Sequence, residues 1–228
     1  ATHPSTMSDA SDLPVVTVGL QEVSSKNLAV TKYRNGDNIT HAPAQADWNT
    51  YDTNEVGCWA YYDNSLGNGV SYGILYNRWA VLDARNIAPI GYEVATEAQL
   101  KAIANIPPGT GDGAKLKAEG FDYWDDSGVP ADYGTNLNQF NARGAGERTN
   151  LAFAELKEST TFWATDTDDY LKVTYDSADA TFETAPLTTP KLAGRSIRVI
   201  RDADYNGWNG DPEYLTDKSV WFPSAFDD

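Results

Sequence analysis

One run limits what this chain can fold into more than any other: Tyr72 to Leu100, YGILYNRWAVLDARNIAPIGYEVATEAQL. Tyr72, Tyr76, Trp79 and Tyr92 are interleaved there with Leu75, Val81, Leu82, Ile87, Ile90 and Val94. Side chains of that size remove a large apolar area from water when they pack. The run therefore predicts a core strip in which Tyr76 and Trp79, together with the later Trp163, are largely buried. Its end predicts a helix. Thr96 followed by Gln99 is a capping-box pair, each side chain satisfying a backbone N–H that the first turn leaves without a partner. Leu100, Ile103 and Ala104 recur at helical spacing, and Pro107-Pro108 stops the helix.

The remaining elements are short. Pro14–Glu22 is β-rich and predicts one strand. Val30–Ile39 runs through Tyr33 into an Asn35-Gly36 turn, and Asp63–Gly69 is a loop rich in Asn and Gly. Ala114–Glu119 predicts a second short helix. Phe162–Ala164, Leu171–Tyr175, Thr181–Thr184 and Arg195–Arg201 predict a strand meander. Between them, Phe121 to Thr161 loses periodicity yet keeps its aromatic residues, the pattern of an ordered functional loop. A few helices beside short antiparallel strands make the class α+β. Residues 1–13 are expected to be a linker, and 14–228 one domain with an acidic extension over 202–228.

The net charge of −16 argues against nucleic acid or anionic membrane as a partner, since both require positive surface. No run of about 18 apolar residues exists, so no membrane-spanning helix is expected. The lone Cys58 excludes an intrachain disulfide and a multi-thiolate metal site, and reads as a small buried hydrophobe.

YGILYNRWAVLDARNIAPIGYEVATEAQ resembles the YGxLYNWYAV…R…APxGWHVPTxxEW run of the Fibrobacter succinogenes major paralogous domain family. The resemblance continues in Asn27–Asp37 (NLAVTKYRNGD), Gly113–Lys117 (GAKLK), Phe140–Arg148 (FNARGAGER), Phe162–Thr165 (FWAT) and Ser196–Asp202 (SIRVIRD), spanning roughly Leu20 to Asp202. Tyr92 and Ala95 stand where the family usually has Trp and Pro, and Gln99-Leu100 where it has Glu-Trp. The resemblance implies a C-type-lectin-like fold, akin to the formylglycine-generating enzymes, in a bacterial secreted or surface protein. The cysteine pair that holds a metal in those enzymes is not matched here. Nor are the Glu-Pro-Asn, Gln-Pro-Asp and Trp-Asn-Asp motifs of sugar-binding lectins; Asp211-Pro212-Glu213 is a distant echo.

Three groups of residues are candidates for chemistry. Asp202, Asp204, Asn206, Trp208 and Glu213 fall in a D-x-D-x-N-G-x5-E spacing, which converges oxygen ligands on one Ca2+ ion; the competing reading is a solvated acidic turn. Asp166, Asp168 and Asp169 are a second cluster whose repulsion a cation or a cationic side chain would relieve, the competing reading again being a solvated turn. Arg143 and Arg148, with the aromatic Tyr123, Trp124 and Tyr133, are expected to form a ligand site over Phe121–Arg148 beside the Asp166–Asp169 turn. The alternative is that the two arginines hold loop backbone and the aromatic residues fold inward. Only His3 and His41 are present, which disfavours Ser-His or Cys-His catalysis. The function expected is a non-enzymatic, calcium-dependent adhesion module. Its ligand would be a peptide or protein segment on another cell, bound by a monomeric domain within a longer extracellular protein. The alternatives are a glycan-binding module and a hydrolase using paired carboxylates.

Overall fold

A computed structural model describes residues 14–105, 111–184 and 193–203. The first departure from the sequence reading is local. Pro14–Glu22 is a hairpin rather than one strand, with β1 (Val15–Val18) and β2 (Gln21–Ser24) paired antiparallel from Val15–Ser24 to Val18–Gln21. Gly19 makes the difference, since its φ of +62° suits a turn that residues with a Cβ rarely adopt. Leu20 is left exposed at the tip.

Among the described residues three sheets carry the architecture. Strands β1 and β2 continue through β12 (Val199–Arg201) to β6 (Tyr92–Val94). Strands β3 (Thr40–His41), β4 (Cys58–Ala60) and β5 (Leu75–Tyr76) form a small second sheet. The third has the order β11 (Ala180–Thr184), β10 (Asp169–Thr174), β9 (Ser159–Trp163), β7 (Ala145–Arg148) and β8 (Phe153–Leu156). Strands β9, β10 and β11 are the expected meander. Arg195–Arg201 does not extend it. That segment instead stitches the three sheets together: Gly194 bridges Arg148, Arg195 bridges Tyr76, Ser196 bridges Phe162, and β12 pairs with both β2 and β6.

Among the described residues five short α-helices lie between strands: α1 (Gln45–Thr53), α2 (Leu66–Tyr72), α3 (Arg78–Leu82), α4 (Glu97–Ile103) and α5 (Gly113–Leu116). The capping box at α4 forms as expected. The Thr96 hydroxyl accepts from the Gln99 N–H at 3.2 Å, and the Gln99 amide oxygen accepts from the Thr96 N–H at 2.7 Å. Leu100 and Ile103 are buried. Helix α5 is one turn long and ends before Lys117, short of the expected Ala114–Glu119.

Two large apolar clusters fill the interior, one around Tyr76, Tyr92 and Trp163, the other around Leu100, Trp124, Phe140 and Phe162. Tyr76 and Trp163 are fully buried, as predicted. Trp79 is only partly buried; the side chain that α3 sends inward beside it is Arg78. Cys58 is a buried free thiol, and burial pushes its pKa up, away from thiolate reactivity. Among the described residues no helix is long and apolar enough to cross a membrane.

Candidate functional site

A chain this acidic has few cations, and it spends several of them indoors. Arg78, Lys117, Arg148, Arg195 and Arg198 are all buried. Burying a charge is costly unless its hydrogen bonds are met, and here backbone carbonyls meet many of them. Arg78 donates to the carbonyls of Ala164 and Thr165. Lys117 donates to those of Thr174, Tyr175 and Ser177. Arg148 donates to the carbonyls of Ala42 and Pro43 while stacking on Trp48 and Phe153. Irregular loops expose unpaired carbonyls, and one guanidinium serves several at once.

This overturns part of the expected ligand site. Arg148 is a loop clamp with no exposed face. Trp124 is 3% exposed, belongs to the second apolar cluster, and donates its ring N–H to the Ala142 carbonyl at 2.9 Å. It folds inward because Ala142 offers the indole a buried acceptor. Tyr133 lies outside the core, its hydroxyl held by Asp126 at 2.7 Å and its ring edge-on to Phe121. The Asp166–Asp169 turn does not gather a cation-binding triad. Asp166 accepts from the Glu97 N–H at the start of α4, and Asp168 pairs with Arg78 at 3.3 Å. Asp169 opens strand β10. Among the described residues no three His, Cys, Asp or Glu side chains converge as metal ligands do. Of the other calcium candidates, Asp202 follows β12 and donates its backbone N–H to the Gly91 carbonyl. Asp204, Asn206, Trp208 and Glu213 lie outside the described residues.

Arg143 and Tyr123 remain, and they mark a cleft. It has a volume of about 40 Å³ and lies between the end of α2 and the segment Asn141–Arg143, with Lys26 and Asn27 on the facing side. Its floor is Arg198, which donates to the Asn27 side chain at 2.8 Å and to the carbonyls of Ser24, Phe140 and Asn141. Gly73 ends α2 with φ +84°, and a Cβ there would stand 2.8 Å from that of Asn27. Only glycine allows both the turn and this close approach. Asn27 is held in turn by the Tyr72 carbonyl and the Ser196 hydroxyl, so the wall is fixed on two sides.

At the mouth, the Arg143 guanidinium lies 3.9 Å from the centre of the Tyr123 ring and donates to the Ser71 carbonyl at 2.7 Å. Tyr123 is itself edge-on to Tyr72, with centroids 5.9 Å apart. Ring stacking and one hydrogen bond fix the plane of the fork. Burial, and then the charge of Arg143, hold the Arg198 guanidinium down to about 9. The sequence reading missed Lys26, Asn27, Gly73 and Arg198. Arg198 had a visible signal, a cation set directly between the apolar Ile197 and Val199.

A family model described as the Fibrobacter succinogenes major domain matches residues 16–201. No curated protein and no solved structure matches the chain.

Proposed function

The chain belongs to the Fibrobacter succinogenes major domain family, and from that membership and the cleft we propose that it is a non-enzymatic ligand-binding module of a bacterial surface or secreted protein. In this reading the fold is C-type-lectin-like and the module sits within a longer extracellular chain. Its ligand is a peptide or protein segment presented by another cell. The observation that carries the reading is the cleft: Lys26, Arg143 and Arg198 gather positive charge at one point of a protein whose net charge is −16. A peptide brings carboxylates to such a point, whereas a neutral glycan gains little from it.

Calcium dependence rests on the Asp202–Glu213 spacing, which supplies oxygen ligands at alternate positions around a glycine. An ion bound there stabilises the folded state by linkage. A paired peptide and glycan array, run with millimolar calcium and again with EDTA, tests both parts. Peptide spots that bind with calcium and fade with EDTA are expected. Glycan-only binding, or binding indifferent to EDTA, would remove the corresponding half of the proposal.

A second reading, hydrolysis by paired acids, draws on Glu147 in β7. Burial raises its pKa, as a general acid requires, and Glu155 and Glu183 are near enough to act on it electrostatically. Against it, Glu147 is already paired with Arg195 at 3.5 Å, and Glu155 accepts from Ser159 and pairs with Lys172. Turnover of any glycan or peptide that Glu147→Gln abolishes would favour this reading over the first.

A further inference from the structure

We propose that the cleft under Arg143 is a carboxylate site, and that the group it takes is a carboxylate of a peptide ligand, at the C-terminus or on a side chain. The inference rests on the peptide-binding reading above and specifies which atoms of the ligand are held.

Charge provides the first argument. Arg198 at the floor is 1% exposed, and all its hydrogen-bond partners are neutral oxygens. Arg143 at the mouth is likewise held by a carbonyl and a ring. Among the described residues neither guanidinium has a carboxylate counter-ion. The two cations sit close enough for Arg143 to disfavour the charged form of Arg198. Lys26 adds a third positive group at the rim. Several other cations of the protein are paired with acids, as Arg78 with Asp168, Arg85 with Asp83 and Arg195 with Glu147, while Lys117 and Arg148 are met by carbonyls. A monoanion between Arg143 and Arg198 would remove a repulsion that the fold leaves standing.

Size and shape provide the second. A cleft of about 40 Å³ admits a few heavy atoms, against about 10–15 Å³ needed for one water. That is room for a carboxylate. Arg143 is already fixed against Tyr123 and Ser71, so binding orders little that was loose. A planar fork held at one edge presents paired N–H groups to a planar two-oxygen acceptor.

The test uses the full chain carrying 15N-labelled arginine. The Nε–Hε signals of Arg143 and Arg198 are followed during titration with acetyl-diglycine, acetyl-aspartate amide, acetyl-diglycine amide and inorganic phosphate. At least one of the two carboxylates is expected to give saturable shifts of both signals, the stronger of them naming the source, and the amide none. Lys26→Glu, at an exposed rim position, and Arg143→Gln should each weaken that binding about tenfold or more, read from the Arg198 signal. Shifts equal for amide and carboxylate, no saturable shift with either carboxylate, or tighter binding of phosphate than of both would overturn the proposal. Carboxylate binding without any array peptide would remove the peptide reading and leave the site. An array peptide that binds without moving either arginine signal would do the reverse.

Discussion

Arg198 is surrounded by four neutral oxygen acceptors and lies over the rings of Phe140 and Phe162. It ties β2 to the Asn141 loop, and its removal would strand buried carbonyls. Arg198→Met should therefore cost at least about 3 kcal/mol, since each buried group left unmet costs about 1–3 kcal/mol. A urea midpoint close to that of the wild type would show that the clamp is dispensable. Lys117 makes a second prediction, through pH. Burial pushes its ammonium down to about 8 from an ordinary value near 10.5. Between those values the unfolded chain binds more protons than the folded one, so stability should rise with pH across that interval. The burial penalty is fully present below about pH 8. The trend is opposed by Cys58 from about pH 9 and by Tyr170 from about pH 10, since burial raises the pKa of each and the unfolded chain ionises first. Unfolding free energies at about pH 7.5, 8.0 and 8.5 should thus increase, and Lys117→Met should flatten that slope. Residue type alone did not reveal these clamps. A lone Arg in an apolar stretch signals burial, but whether it meets a ligand or a carbonyl depends on which loop arrives from elsewhere in the chain.

At the scale of elements, local rules served well where the interaction was local. The capping box over Thr96 and Gln99 formed because both partners lie within one turn. Thr96→Ala should destabilise the protein by about 1 kcal/mol, the usual worth of such a cap. A melting curve unchanged by that substitution would mean the helix start is held chiefly by the Asp166 carboxylate, which also accepts there from the Glu97 N–H. Where pairing was long-range the sequence was less informative. Arg195–Arg201 has strand character, yet nothing in its composition says that it leaves the meander to join β2 and β6. Strand propensity reports fit to a half-buried pleated surface and not the identity of the neighbour. Trp124 misled for the same reason. Its loop is irregular, as expected, but the indole found a buried acceptor at Ala142 and turned inward.

At the scale of the whole molecule, three small sheets are joined by one central segment, and charge is divided unequally between inside and outside. The family and the α+β class were legible because they depend on ordered motifs and on element lengths. The cleft was only half legible: Arg143, with the Tyr123 ring it stacks on, stands in one recognisable loop, while Lys26, Asn27, Gly73 and Arg198 come from three other parts of the chain. Convergence of that kind is a property of topology. The most direct test of the central claim is the dissociation constant of an array-selected peptide for the wild type and for Arg143→Gln, at equal calcium and with melting temperatures checked. The substitution is expected to weaken binding at least tenfold while the fold persists, and amidating the peptide's carboxylate to have the same effect. Unchanged affinity in a folded Arg143→Gln protein would contradict the claim.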